Sequence, residues 1–178
     1  FSAGNTSASL TRAVSRTPFV PQGGDAIGER SESILSMQSA GLKARLAHVN
    51  AASAVIGISG GLDSALALLV TVRAFDALKK DRKDIIAVTI PCFGTTSKTY
   101  NNSLRLMQAL GVTARVVPIA DTVRAHFRDI GHDEEIKNAA YENAQARMRT
   151  LVLMDIANDS GGIVVGTGDL SELALGWA

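Results

Sequence analysis

The feature that most constrains this chain is a short glycine-rich turn, Ser59–Ser64 (Ser-Gly-Gly-Leu-Asp-Ser), which follows the apolar run Val55–Ile58. The apolar run predicts a strand, and the apolar-rich stretch from about Ala65 to Lys80 predicts a long helix. Two adjacent glycines allow a sharp turn and a close approach of the backbone to a ligand. The helix start directs unpaired N–H groups and a positive dipole end at that ligand. The segment is therefore predicted to bind a phosphate.

The chemistry of this turn differs from that of a Walker loop. No Gly-Lys-Ser/Thr closes the turn, so the lysine that contacts β- and γ-phosphates in a Walker loop is missing. Ser59 and Ser64 offer hydroxyl groups, and Asp63 offers a carboxylate that can hold Mg²⁺. Such a turn suits a pyrophosphate leaving group, because a metal there offsets charge while the α-phosphate is attacked. The alternative is a strand-to-helix turn that binds no ligand.

Composition excludes several classes of function. The 178 residues, 46% of them apolar, are enough for one α/β core. A net charge of +1, with the charges interspersed, gives no reason to expect nucleic-acid binding. No apolar run has the length of a membrane span, so no membrane association is expected. The single cysteine excludes an internal disulfide framework and fits a reducing compartment, so we expect a cytoplasmic protein.

Apolar periodicity and turn residues predict the other elements. In chain order they are a helix at Glu29–Val49, a strand at Ile85–Ile90, a helix at Lys98–Leu110, a strand at Ala114–Pro118, a short helix at Asp121–Arg128 and a long helix at Asn138–Asn158. The alternation of strands and helices predicts an α/β fold, with a doubly wound, mostly parallel sheet and helices on both faces.

A second apolar strand, at Gly161–Val165, is also predicted to run into a polar turn and a helix. Thr167 lies at the carboxyl end of that strand, Asp169 is placed to cap the helix, and Glu172 falls in its first turn. Two such turns can face each other across one edge of a sheet. Asp63 and Glu172 would then lie around a shared metal, which is a hypothesis because sequence supplies no distances.

The long helix carries two polar residues on one face. Asn143 and Arg147 are four residues apart, so they can act on one ligand together, although a salt bridge or a solvated side chain would also explain Arg147. Arg149 is interpreted as an ordinary surface charge. The buried stripe of this helix is predicted to consist of Ala140, Ala144, Met148, Val152 and Ile156.

The cysteine and the histidines are not interpreted as catalytic or metal-binding residues. Cys92 lies in the loop Pro91–Ser97 after the predicted strand, and we expect it to be a small buried hydrophobic residue. His48 and His126 stand alone and are interpreted as solvated. His132 lies among carboxylates, which would suit a metal, but a solvated loop is the preferred interpretation.

Taken together, three segments resemble the NAD⁺ synthetases, a family of N-type ATP pyrophosphatases. They are Ser59–Ser64, the helix around Asn143–Arg147, and the turn Gly166–Glu172 with Gly176-Trp177 after it, in that order. Three further runs are similar to the glutamine-dependent branch, namely Thr17–Pro21, Pro91–Thr96 and Asp169–Ala174. The resemblance implies the adenine nucleotide alpha hydrolase-like fold.

The resemblance also implies roles for individual residues. ATP would be bound by Gly57, Ile58, Ser59, Gly60, Gly61, Leu62, Asp63, Ser64 and Thr167. Asp63 and Glu172 would be catalytic and would hold Mg²⁺, and deamido-NAD⁺ would be bound by Asn143, Arg147, Glu172 and Trp177. The implied reaction is the ATP-dependent amidation of deamido-NAD⁺ to NAD⁺ through an adenylated intermediate, with ammonia derived from glutamine and with AMP and pyrophosphate released.

The same resemblance implies a domain arrangement. Residues 1–28 would be a linker from a preceding nitrilase-like glutaminase domain on the same chain, and residues 29–178 a synthetase domain truncated at its C-terminal end. The protein is expected to be a homo-oligomer.

Two other functions stay open at this point. One is another adenylating amidotransferase with the same loop, such as a GMP synthetase, although the Asn143/Arg147 and Thr167/Glu172 pairs argue against it. The other is a non-catalytic ATP-binding module. Asp63 distinguishes the second, because a sensor needs only the phosphate-binding turn.

Overall fold

The computed structural model describes residues 12–13, 15–21 and 23–176, and the chain divides into two compact units, Phe1–Met37 and Gln38–Ala178. The first unit contains a turn in which the N–H of Val20 donates to the carbonyl of Thr17 (3.2 Å). Helix α1 (Gly24–His48) begins in this unit and ends in the second. The helix predicted at Glu29–Val49 is therefore present, and it begins at Gly24, earlier than predicted.

The second unit is built on a four-stranded sheet with the order β3-β2-β1-β4, in which every pairing is parallel. Its elements are β1 (Ala54–Gly57), α2 (Leu62–Leu78), a 3-10 turn (Arg82–Asp84), β2 (Ile85–Thr89), α3 (Ser97–Leu110), β3 (Thr113–Val116), α4 (Ala120–Ile130), α5 (Ala139–Asp159), β4 (Ile163–Val164) and α6 (Leu170–Leu175). The predicted α/β fold with a doubly wound parallel sheet is confirmed. Among the described helices, none has the length and apolar character needed to cross a membrane.

Helices cover both faces of the sheet, as predicted. Successive strand residues point to opposite faces, so Ile56 packs in one core with Phe75 of α2, while Val55 packs in the other with Phe127 of α4 and Tyr141 of α5. All five side chains are at least nine-tenths buried. The central strands are therefore apolar on both faces, which is typical of parallel strands between two helical layers.

The stripe predicted on α5 is partly correct. Ala144 is buried, and Met148, Val152 and Ile156 are half-buried against the second core. Ala140 is exposed, so its predicted burial is wrong. It lies in the first turn of α5, where its N–H is bonded to the side chain of the cap residue Asn138 (2.9 Å).

The interpretation of His132 as a solvated loop residue is also wrong. This side chain is half-buried, its ring lies 4.9 Å from the ring of Phe127, and its Nε2 atom is buried without a hydrogen-bond partner in the described part of the chain. The imidazole meets the Phe127 ring at an interplanar angle of 61°, and this contact withdraws part of the ring from water. Cys92 is half-buried against the same core, while His48 and His126 are exposed as predicted.

The connection between α2 and β2 is fastened by an ion pair. Arg82 donates from Nε to Oδ1 of Asp76 (2.8 Å) and from Nη2 to Oδ2 (2.7 Å), and its Nη1 reaches the carbonyl of Leu110 at the end of α3 (3.3 Å). The hydrogen bonds and charge of Arg82 lower the pKa of the Asp76 carboxyl below its ordinary value, against a smaller opposing effect of burial.

This ion pair predicts that part of the free energy of unfolding is lost at acid pH. A carboxyl whose pKa is lower in the folded state stabilises the fold above its unfolded-state pKa, and this stabilisation is lost as the pH falls through the folded value. We expect Asp76→Asn to lower the free energy of unfolding modestly at pH 7, because the pair is about half exposed. The deficit should shrink as the pH falls below about 4.

Urea unfolding of the two proteins across this pH range measures the effect. Asp84→Asn is the matched control, because Asp84 is exposed in the same turn and has no ion-pair partner among the described residues. A deficit of Asp76→Asn that stayed constant from neutral to acid pH would contradict the assignment.

Candidate functional site

The glycine-rich turn directly follows β1. The N–H of Ile58 donates to the carbonyl of Val88 (2.8 Å), which extends the pairing with β2 by one residue, and the chain then reverses at Gly60, whose φ is +86°. Helix α2 begins at Leu62, three residues before the predicted start at Ala65. Leu62, Asp63 and Ser64 therefore belong to the first helical turn.

Gly60 is required by both its backbone conformation and its surroundings. A φ of +86° is strained for any residue with a side chain, and a Cβ atom at this position would lie 2.3 Å from the carbonyl oxygen of Thr99 in the first turn of α3. The absence of a side chain thus lets the turn lie directly against α3.

The start of α2 presents free hydrogen-bond donors. Gly61 is the cap residue and supplies no side-chain acceptor. The N–H groups of Leu62, Asp63 and Ser64 have no hydrogen-bond partner within the described chain. Together with the helix dipole, these three N–H groups make the turn suitable for binding an anion.

The hydroxyl groups of the turn hold its shape. Ser64 is buried, its Oγ donates to the carbonyl of Gly61 (3.1 Å), and it is hydrogen-bonded to Oγ of Ser59 (3.1 Å). The N–H of Gly61 in turn donates to Oγ of Ser59 (3.2 Å). These hydrogen bonds within the turn stabilise its shape, and a preorganised site lowers the entropic cost of binding a ligand.

The second polar turn lies beside the first. β4 pairs with β1 on the side opposite β2, and the N–H of Val165 donates to the carbonyl of Val55 (2.8 Å), so Thr167 follows at the same edge of the sheet. The strands that follow β1 in sequence, β2 and β3, lie on one side of it, whereas β4 lies on the other side. Open α/β sheets bind ligands at such a switch point.

Asp169 and Glu172 form a capping box at the start of α6. The N–H of Glu172 donates to Oδ1 of Asp169 (2.7 Å), and the N–H of Asp169 donates to Oε2 of Glu172 (3.0 Å). The predicted capping role of Asp169 is thus confirmed. One carboxylate oxygen of Glu172 is occupied by this cap, and its predicted metal and substrate roles stay predictions.

Two cavities open at this edge of the sheet. The first, of about 640 Å³, is lined by Asp63, Thr167 and Asp169 together with apolar side chains of α1, α2 and α6. The second, of about 480 Å³, is lined by Ser59, Ser64 and Thr167 and by residues of α3 and α5. Both volumes are typical of small-molecule sites. Because Thr167 lines both cavities, the two polar turns lie together, as predicted.

The loop after β2 completes the second cavity with Gly94 and Thr95. Its Phe93 ring stacks on Tyr141 of α5 (5.6 Å between ring centroids) and lies 6.5 Å from the ring of Phe127. Aromatic packing therefore positions this loop against α5. The loop follows the carboxyl end of β2, as the sequence predicted.

Not every predicted site residue lines these cavities. Asn143 and Arg147 are exposed on α5, and neither belongs to the walls of the two cavities in the described part of the chain. Trp177 lies outside the described residues. The binding of deamido-NAD⁺ by these residues stays a prediction.

Sequence reasoning missed three residues of α5 that line the second cavity, Glu142, Gln145 and Arg149. Gln145 is 5% exposed, its Nε2 donates to the carbonyl of Tyr141 (3.1 Å), and its Oε1 accepts no hydrogen bond from the described residues. Arg149 is half-buried, so its interpretation as a surface charge is wrong. The polar spacing of three and four residues along α5 is the signal that could have identified this face.

The carboxylate of Asp63 is a possible ligand for a metal ion. Its carboxylate is exposed and has no hydrogen-bond partner among the described residues. Mg²⁺ is commonly held by one or two carboxylates, substrate phosphates and water. No cluster of three or more His, Cys, Asp or Glu suited to a metal occurs in the described chain.

Comparison with known proteins points to one family. The NAD synthase family matches residues 34–178. The chain is 44% identical over 173 residues to the glutamine-dependent NAD(+) synthetase of Mycobacterium tuberculosis, covering 95% of this chain and 26% of that protein. It is 38% identical over 125 residues to the NH(3)-dependent NAD(+) synthetase of Thermoplasma acidophilum, covering 70% of this chain and 48% of that protein.

The fold has solved relatives of the same kind. The glutamine-dependent NAD+ synthetase from Acinetobacter baumannii, in complex with adenosine diphosphate, superposes with a TM-score of 0.74 at 27% identity, covering 82% of this chain and 27% of that one. The chain thus spans about a quarter of the length of its glutamine-dependent relatives.

The geometry of Gly60 predicts that Gly60→Ala impairs binding at the turn. The added methyl group meets both a strained φ and the carbonyl of Thr99, and such strain costs about 1–3 kcal/mol. We expect binding of ATP, the ligand predicted from the sequence, to weaken roughly tenfold or more. Equilibrium binding of ATP measures the change.

Gly41→Ala is the control, because a Cβ at position 41 of α1 meets open space and alanine suits a helix interior. Unchanged ATP affinity in Gly60→Ala would show that the turn can shift away from α3 at no cost.

Proposed function

Because this chain belongs to the NAD synthase family, we propose that it forms the ATP-binding part of an enzyme that amidates deamido-NAD⁺ to NAD⁺. The observation that carries the proposal is the fastened turn Ser59–Ser64, with its three free N–H groups, beside Thr167 at the switch point of the sheet. The similarity to synthetases of both the glutamine-dependent and the NH(3)-dependent kind supports the same reaction.

The first step is adenylation of the substrate. The nicotinate carboxylate attacks the α-phosphorus of ATP, the bond from that phosphorus to the bridging oxygen breaks, and pyrophosphate leaves with the electron pair. The N–H groups of Leu62, Asp63 and Ser64 donate to the phosphate oxygens as negative charge shifts to the leaving group. Since the turn is already ordered, little reorganisation is needed when the charge moves.

Asp63 is the residue best placed to hold Mg²⁺. A bound Mg²⁺ supplies charge neutralisation at the phosphates. Glu172 is the second candidate ligand, and it has one carboxylate oxygen, Oε1, outside the capping bond to Asp169. We propose that Thr167 contacts ATP, which its position in the lining of both cavities supports.

The second step is attack on the adenylate by ammonia, which forms the amide and releases AMP. Neutral ammonia is a minor species in water at neutral pH, so a sheltered supply from glutamine favours the reaction and protects the intermediate from hydrolysis. The glutamine-dependent relatives are about four times the length of this chain, which supports a glutaminase domain elsewhere on the same polypeptide. Homo-oligomer formation and a cytoplasmic location stay predictions.

Deamido-NAD⁺ would contact Asn143, Arg147, Glu172 and Trp177. Asn143 and Arg147 lie on an exposed face of α5, beside the face that lines the second cavity. We propose that the substrate lies across this outer face and directs its pyridine ring towards the ATP cavity.

Exchange of labelled pyrophosphate into ATP tests the function. The full-length natural protein with Mg²⁺ should catalyse exchange only when deamido-NAD⁺ is present. Exchange with XMP instead would identify a GMP synthetase-like enzyme, and ATP binding without any exchange would identify a non-catalytic module.

The role of Asp63 predicts that Asp63→Asn slows deamido-NAD⁺-dependent exchange by at least about a hundredfold, because loss of the metal carboxylate removes several kcal/mol of charge stabilisation. Asp129→Asn should exchange at the wild-type rate, since Asp129 is an exposed residue of α4 outside both cavities. Wild-type exchange by Asp63→Asn would rule out a metal-binding function for this carboxylate.

A further inference from the structure

Arg149 is the positively charged side chain of the second cavity. Among the described residues that line this cavity, it is the single cation and Glu142 the single acid. These two residues are seven positions apart on α5, which places them about 10 Å apart along the helix axis. Arg149 has no carboxylate partner within the described chain.

The guanidinium is held at the carboxyl end of β2. Its Nε donates to the carbonyl of Ile90, at a long distance of 3.5 Å, and the two terminal nitrogens have no hydrogen-bond partner in the described part of the chain. Arg149 is half-buried. Partial removal of a charge from water without a counter-ion costs free energy, so this guanidinium favours the entry of an anion into the cavity.

The glycine-rich turn lines the same cavity through Ser59 and Ser64. That turn lacks the lysine with which a Walker loop contacts the outer phosphates. The N–H groups of α2 supply only partial positive charges. A full positive charge is thus missing from the turn and present on the α5 wall of the same cavity.

We propose that Arg149 binds the β- and γ-phosphates of ATP and stabilises pyrophosphate as it leaves, in place of a loop lysine. The inference rests on the proposed function. A guanidinium has a planar set of donors, so it can keep the Ile90 carbonyl on Nε and bind two phosphate oxygens with its terminal nitrogens. Arg149 gives up no proton, and the electron pair of the broken P–O bond stays on pyrophosphate.

Binding of ATP, pyrophosphate and adenosine to the full-length protein tests this role. Arg149→Gln should weaken binding of ATP and pyrophosphate by about 10- to 100-fold, since a charged hydrogen bond contributes about 1.5–3 kcal/mol. Adenosine, which lacks phosphates, should bind as it does to the wild type. Arg149→Lys should fall between the two, because it keeps the charge but loses the planar donors.

Arg105→Gln is the matched control for loss of a positive charge, because Arg105 is exposed on α3 and does not line either cavity. Its affinity for all three ligands should be unchanged. Equal loss of adenosine and ATP affinity in Arg149→Gln would mean a structural role and overturn the inference, as would unchanged ATP affinity.

Pyrophosphate exchange separates this inference from the proposed function. Absence of exchange with deamido-NAD⁺ in the wild type, combined with ATP binding that depends on Arg149, would overturn the function and support the phosphate contact. Wild-type protein that failed to bind ATP would overturn both.

Discussion

The close approach of Gly60 to α3 is the contact on which the rest of the site depends. The chain reverses at a φ of +86°, and the position of a Cβ there is filled by the Thr99 carbonyl. This reversal places Gly61 as the cap residue of α2 and leaves the first N–H groups of the helix unpaired. One backbone position thus sets the direction of α2 and leaves free N–H donors at its start.

The strand order adds the second half of the site. If β4 had joined the far edge beside β3, Thr167 would lie two strands further from the glycine-rich turn. Because β4 pairs with β1 instead, Thr167 lines both the cavity that contains Asp63 and the cavity that contains Ser64. The shortness of β4 does not weaken this placement, because the bond from Val165 to Val55 extends the contact beyond its two residues.

The fold and the glycine-rich turn between β1 and α2 could be predicted because their signals are local. Apolar runs, paired glycines and a nearby acid identify strands and helix starts from neighbouring residues alone, and the family resemblance is confirmed. The burial of His132 could not be predicted, because it depends on Phe127, which belongs to the preceding helix, and on how the intervening turn folds back. Charged neighbours in sequence suggested a solvated loop, whereas the aromatic contact in space decided the outcome.

Helix α5 shows why a residue pair with a clear spacing need not identify every binding face. Asn143 and Arg147 share one face, and Glu142, Gln145 and Arg149 share another, with successive residues separated by about 100° around the axis. The apolar stripe predicted the buried side of α5, but it did not show which polar residues beside the stripe line the second cavity. The contacts of Tyr141 with Phe93 and Phe127 orient α5, and Arg149 rather than Arg147 lines the cavity that the glycine-rich turn also lines.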